Sequence, residues 1–279
     1  MDIIDTEVAN PPGSAELWVS IVLYRPLPDK LVQTLATLGQ ALRMANFGYP
    51  GQSCVLLVDH SPTRLQQTEI LELQNHLGPG IRLDYDAVGA NPGFGQGHNR
   101  AFGKATGATY FLVANPDLEF TPESIRIGIS FLHDHPEVGV IAPGLIEPEC
   151  QIRPACFRSP DLRTLLLRGL GRTASDSARI ARYECRDWDP STPVFNPPLM
   201  SGCCLLFRSA TYDRLEGFNP DYFLYFEDFD LARRAAGLGV SAYCPTMHIR
   251  HSGGGVSRKS WRHRWWFIRS AWRFYINQP

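Results

Sequence analysis

No apolar run in this sequence approaches the ~20 residues a helix needs to cross a bilayer, and neither sign of charge is in surplus: 27 Lys and Arg stand against 28 Asp and Glu. The first absence argues against a membrane-spanning chain. The second argues against a nucleic-acid binder, which would carry a basic excess. Paired cysteines are missing too. The seven present (Cys54, Cys150, Cys156, Cys185, Cys203, Cys204, Cys244) are scattered, several lie inside apolar runs, and the adjacent Cys203 and Cys204 lack CxxC spacing. That usage excludes a zinc site and suits reduced core thiols in a cytosolic protein. The opening MDIIDTEVANPPGS is acidic and polar, unlike a signal peptide. Residues 1–16 read as a flexible lead-in, and the expectation is a cytoplasmic protein.

What is present is an alternation. Short apolar runs at 17–24 (LWVSIVLY), 54–58 (CVLLV), 81–85 and 110–114 (YFLVA) have the length and β-branched content of strands buried on both faces. Helical patterns separate them at 28–45, 63–77 and 95–104. In the first of these Leu31, Leu35, Leu38 and Leu42 share one face. Strand and helix in turn predict an α/β fold with a parallel, doubly wound sheet. Farther on come a helix at 122–133, a strand at 138–142, and an irregular stretch from 143 to 198 that carries Arg153, Arg158, Arg163, Arg168 and Arg172. That stretch reads as an excursion shaping an acceptor site, or in part as a disordered surface loop. A strand at 199–207 and a last short strand at 240–243 follow. The chain from 17 to 256 reads as one domain, with a nucleotide-binding half to about 120 and an acceptor half beyond.

Chemistry concentrates in four places. Gly93, Gly95 and Gly97 permit close backbone approach to a ligand, and the helix after them would offer free N–H groups to an anion. Just past the strand at 110–114, Asn115-Pro116-Asp117 places a carboxylate in the crevice where α/β sheets bind ligands. Thr121 is the expected cap of the next helix, leaving Asp117 free. Asp59, at the end of the second strand, either caps a helix or hydrogen-bonds a ligand's base or ribose. In the stretch 221–234, Glu227, Asp228 and Asp230 sit among five aromatics. A carboxylate in an apolar wall has its pKa raised toward a general base's working range. His251, before Gly253-Gly254-Gly255, suits a mobile loop with an imidazole able to reach a metal. The segment 258–276 projects Trp261, Trp265, Ile268, Trp272 and Tyr275 or Ile276 onto one helical face with Arg262, Arg269 and Arg273 off it. That pattern fits a basic amphipathic helix at an anionic membrane surface, or a face packed on the protein's own core or on a second subunit.

The stretches SIVLYRP, LLVDHSP, NPGFGQGHNRAF, ANPDLEF, MSGCCLLFRSATYDRLEGFNPDYFLYFEDFDLARRAAGLG and HIRHSGG together resemble the inverting family 2 glycosyltransferases with a GT-A fold, in particular their rhamnosyltransferase-like bacterial branch. The resemblance implies a GT-A, Rossmann-like sheet flanked by helices. It implies that Asp59 contacts the nucleotide base and that Asn91, Gly93, Phe94, Gly95, Asn99 and Asn115 line the nucleotide-sugar site. Asp117 and His251 would contact a divalent cation, Mg2+ or Mn2+, and Asp228 would be the catalytic base with Glu227 beside it. Asn115 replaces the first Asp of the DxD-type motif, and His60 stands where Asn or Asp is usual. The implied donor is a dTDP-sugar, with dTDP-rhamnose first, and the implied acceptor a cell-surface glycan or its lipid-linked precursor. That acceptor gives the C-terminal helix a reason to sit at the inner membrane face. A homo-oligomer is compatible with the same pattern. Two rivals stand beside this reading. The intact Glu227-Asp228 pair argues against a catalytically silent sugar-nucleotide-binding module. The glycine-free Arg25-Pro26-Leu27-Pro28 argues against a nucleotidyltransferase.

Overall fold

The computed structural model describes residues 16–45, 52–169, 173, 177–251 and 261–276. Most of the expected lead-in, Arg172, the Gly253–255 run and Arg258 lie outside the described residues. In chain order the elements are β1 (Leu17–Leu23), α1 (Pro28–Ala45), β2 (Ser53–Asp59), α2 (Gln67–Leu77), β3 (Ile81–Ala87), α3 (Phe94–Phe102), β4 (Tyr110–Ala114), β5 (Leu118–Phe120), α4 (Ser124–Asp134), β6 (Val140–Ile146), β7 (Ile152–Pro154) and β8 (Cys156–Phe157). Then follow α5 (Leu162–Gly169), α6 (Ala178–Tyr183), β9 (Val194–Phe195), β10 (Leu199–Met200), β11 (Cys204–Arg208), α7 (Ser209–Arg214), α8 (Glu227–Gly237), β12 (Ser241–His251) and α9 (Trp261–Ile276).

The main sheet runs β3-β2-β1-β4-β11-β6-β12-β5, with β7 on β6 and β9 on β12. Strands β1 to β4 are parallel, which is why their residues read as unbroken apolar runs: β1, β2 and β4 are buried at every position. Helix α1 packs its stripe of Leu31, Leu35, Leu38 and Leu42 inward, as its spacing predicts. Strand β11 runs antiparallel to both neighbours, and β12 runs parallel to β6. The carboxyl ends of β1–β4, β6 and β12 therefore share one edge with the start of β11.

Several expectations change. The strand at 199–207 is two strands, because Ser201, Gly202 and Cys203 leave the ladder between β10 and β11. The short strand at 240–243 is the start of an eleven-residue β12, so His251 is its last residue and not part of a loop. The chain reads as broken at Pro245, which has no N–H to give the ladder. The strand absorbs it in an irregularity between Cys244 and His248 and then resumes. Thr121 does not cap α4: its hydroxyl goes to the His248 carbonyl, while Ser124 N–H and Oγ bond back to the Thr121 carbonyl. The 143–198 stretch is an ordered excursion over its described residues, adding β7 and β9 to the sheet and burying Ala155, Cys156, Ile180, Tyr183 and Cys185. All seven cysteines are free thiols, and only Cys150 is exposed.

Candidate active site

The edge where these strands end gathers most of the sequence-expected residues. Asn115 leaves β4 and donates its backbone N–H to the Cys203 carbonyl at 2.9 Å. This joins the Asn115-Pro116-Asp117 tip to the turn before β11. His251 is register partner of Leu118 across β12 and β5, so its ring faces that tip. Its Nε2 lies 3.2 Å from Asp117 Oδ1 and 3.4 Å from Asn115 Nδ2. Burial disfavours the charged ring, but hydrogen bonding to the Asp117 and Cys203 side chains outweighs it and lifts His251 to about 10. Asp117 offers an oxygen, and His251, which is paired with it through Nε2, offers an imidazole nitrogen once an ion displaces the ring proton. Among the described residues no group of three His, Cys, Asp or Glu completes a cage. A pair of protein donors suits Mg2+ or Mn2+ held jointly with substrate phosphates.

The same turn carries the second half of the site. Gly202 N–H donates to Asp228 Oδ2 at 2.9 Å, and Phe229 N–H to Oδ1 at 2.9 Å. Two backbone donors thus hold a half-buried carboxylate in the first turn of α8, where the helix dipole favours negative charge. Glu227, its neighbour, is buried, and Oε2 finds no partner among the described residues. Burial first, and the Asp228 charge second, push Glu227 well above the usual carboxylate range. Asp230 is spent on structure, pairing with Arg234 at 2.9 Å and Arg233 at 3.3 Å. Just ahead of these acids, Tyr225 (φ 70°) and Phe226 (φ 65°) are consecutive left-handed residues. Such strain persists only where surrounding packing fixes it.

The glycine turn docks on this loop. Phe94 N–H donates to the Phe223 carbonyl at 3.1 Å, and a Cβ on Gly93 (φ 110°) would stand 2.3 Å from that oxygen. On the next turns of α3, a Cβ on Gly95 would meet Phe218 and one on Gly97 would meet Val22 and His60. These glycines let α3 press between the sheet and the loop before α8. Asn91 Oδ1 accepts the Gly93 N–H at 3.0 Å and shapes the turn. The Asn99 amide clamps Phe218, accepting its N–H and donating to its carbonyl, and also accepts from Tyr212. His60 and His98 are buried, and burial holds both rings below their usual value, His98 at about 3.

Asp59 ends β2, with Oδ1 accepting Ser61 N–H at 2.8 Å and Oδ2 accepting the Tyr85 hydroxyl at 2.7 Å. It borders a cleft of about 630 Å³ that Arg25, Leu31, Val32, Ser61 and Arg64 also line, a volume in the range of small-ligand sites. The contributors to this geometry that the sequence did not reveal are Gly202 and Cys203, read as strand interior, and Tyr85, read as ordinary β3. The break in the apolar run at Ser201-Gly202 was the available signal.

Two curated proteins of Mycobacterium tuberculosis, from strains CDC 1551 and H37Rv, each named N-acetylglucosaminyl-diphospho-decaprenol L-rhamnosyltransferase, are 30% identical over 214 residues, 71% of this chain. The chain is similar to these rhamnosyltransferases. It spans 66% of the length of those curated relatives. No protein-family profile matches it. Among solved structures, the mannosyltransferase PcManGT from Pyrobaculum calidifontis, in complex with GDP-Man and Mn2+, superposes with a TM-score of 0.58 at 17% identity, covering 98% of this chain and 68% of its own. GalNAc-T7 with UDP, GalNAc and Mn2+ gives 0.59 at 13% identity, covering 94% and 48%. S. aureus TarS 1–349 in complex with UDP gives 0.51 at 15%, covering 84% and 60%. These likenesses establish a GT-A fold.

Proposed function

We propose that this protein is an inverting glycosyltransferase that moves a sugar, rhamnose from dTDP-rhamnose in the first instance, onto a lipid-linked glycan precursor or cell-surface polysaccharide. The observation that carries the reading is the placement of Asp228, a carboxylate aimed by two backbone donors at the edge where Asp59, Asn115, Asp117 and His251 also lie. The mycobacterial relatives favour rhamnose and a diphospho-polyprenol acceptor.

In this account the nucleotide base enters the cleft beside Asp59. Each Asp59 oxygen keeps a lone pair after its bond to Ser61 or Tyr85, enough to accept a base N–H. Asp117 and His251 would hold a divalent cation, which would offset the negative charge of the departing nucleoside diphosphate. The pairing of β12 with β5 keeps His251 in register beside Asp117. Asp228 takes the proton of the acceptor hydroxyl as its oxygen bonds to the anomeric carbon, and the carbon–phosphate-oxygen bond breaks on the opposite side. Glu227 lies buried beside that base, and its burial and the Asp228 charge both disfavour a second negative charge there. Asn91, Gly93, Phe94, Gly95 and Asn99 seat α3 so that its first turn closes the donor site.

The test is product formation. The protein is incubated with dTDP-rhamnose, UDP-glucose or GDP-mannose and a synthetic diphospho-polyprenol-linked N-acetylglucosamine, with Mg2+ or Mn2+. A β- or α-configured product inverted relative to the donor, from dTDP-rhamnose alone, is the expected result. Retention of configuration, or transfer from none of the three, would sink it.

A further inference from the structure

Helix α9 has two working faces. Its inner face grips the loop ahead of α8. Ser270 Oγ donates to the Leu224 carbonyl at 2.9 Å, and the Tyr225 hydroxyl pairs with His263 Nδ1 at 3.1 Å. The Phe226 ring sits 5.2 Å from Phe267 and 5.5 Å from Phe274, and Phe223 packs on Trp266 at 4.6 Å. Arg273 reaches the Asp221 carbonyl at 2.6 Å and its carboxylate at 2.9 Å. The gripped loop contains the left-handed Tyr225 and Phe226 and leads directly into Glu227 and Asp228. Its Phe223 carbonyl also receives the first turn of α3.

The outer face is Trp261, Trp265, Ile268, Trp272 and Ile276, each between 52% and 73% exposed. Their spacing of three and four makes one stripe. Such a run of large apolar groups in water marks an interaction surface. Its flanks carry Arg262 and Arg269, which lie over the Trp261 and Trp265 rings, and the exposed Arg264. The helix has no acidic residue. Tryptophans among arginines on an acid-free helix match the headgroup layer of an anionic bilayer. Two copies of this face meeting across a two-fold axis would set arginine against arginine. No helix among the described residues is long and apolar enough to cross a membrane, so the helix would lie in the interface.

We infer that α9 docks on an anionic lipid surface through its tryptophan stripe and, through its opposite face, tightens the loop that positions Asp228, so that lipid contact raises turnover. The inference rests on Asp228 as the base. Docking itself gives α9 a role that a stability helix lacks: the surface that carries a lipid-linked acceptor also orders the group that activates it.

The test uses the full chain with vesicles of phosphatidylcholine and phosphatidylglycerol against vesicles of phosphatidylcholine alone. Wild type should cosediment with the anionic vesicles only, and amide exchange over 222–229 should slow on binding. Turnover of a water-soluble acceptor analogue should rise several-fold in the same mixture. The variant W261S/W265S/W272S should lose vesicle binding by about tenfold or more together with both responses, while keeping donor binding and the vesicle-free rate. Ser270→Ala should keep vesicle binding but lower kcat with donor KM little changed, and Ser270→Thr should restore it. Binding without slower exchange at 222–229 overturns the coupling. Absence of vesicle binding, or a dimer that the tryptophan variant abolishes, overturns the lipid surface. Vesicle binding and amide exchange need no catalysis, so failure of sugar transfer itself would be seen separately.

Discussion

Gly202 gives its backbone N–H to the Asp228 carboxylate at 2.9 Å, and any Cβ added to Gly202 would lie 2.8 Å from the Asp228 Cβ. The glycine between β10 and β11 is thus the seat of the proposed base. Gly202→Ala must push Asp228 off that seat, and misplacement by about 1 Å costs on the order of 10²-fold in rate. The expected outcome is a fall in kcat of that order with donor affinity nearly unchanged, read by steady-state kinetics and calorimetric titration. An unchanged kcat would mean the contact does not position the base.

Asp117→Ala removes one of two donors proposed for the cation. Donor binding should weaken in the presence of Mg2+ or Mn2+ and lose its dependence on either ion. The comparison is titration with dTDP-rhamnose with and without cation. A variant that binds donor as wild type does under both conditions would remove Asp117 from the metal site.

Acid stability should report the strap between β3 and α3. Asp86 is bonded by Arg100 at 2.7 Å and by Lys104 at 2.6 Å, and the Arg100 hydrogen bond holds its carboxyl down at about 2. A depressed folded-state pKa stabilises the protein above the unfolded value near 4, and that contribution is lost as pH falls from about 4 to 2. Because both cations are half-exposed, the pair is worth about 1 kcal/mol or less. Asp86→Asn should therefore lower the unfolding midpoint slightly at pH 7 and not at pH 2. An equal loss at both pH values would show that charge is not the cause.

Much of this architecture was legible because burial on both faces writes parallel strands as apolar runs. β1, β2 and β4, and the α1 stripe, sit where LWVSIVLY, CVLLV, YFLVA and the leucine spacing place them. Strand direction was not legible, since β11 has the same apolar run whether parallel or antiparallel. The same limit hid β12: Pro245 reads as an end, and only the partner strand β6 carries the chain across it. In the site, carboxylates and glycines announced themselves by type, but their assignments did not. Gly93 and Gly95 are required by Phe223 and Phe218, more than a hundred residues away, and Asn99 spends its amide on Phe218 and Tyr212. Sequence spacing cannot foresee a backbone carbonyl from a distant loop.

Asp228 is proposed to take the acceptor proton. Asp228→Asn keeps the side chain's shape and removes its basicity. The decisive measurement is the single-turnover rate of sugar transfer for wild type and Asp228→Asn at saturating donor, beside calorimetric donor binding for both. Donor affinity should be nearly unchanged and the transfer rate lower by about 10²–10⁴-fold. A variant that transfers sugar at close to the wild-type rate would contradict that role.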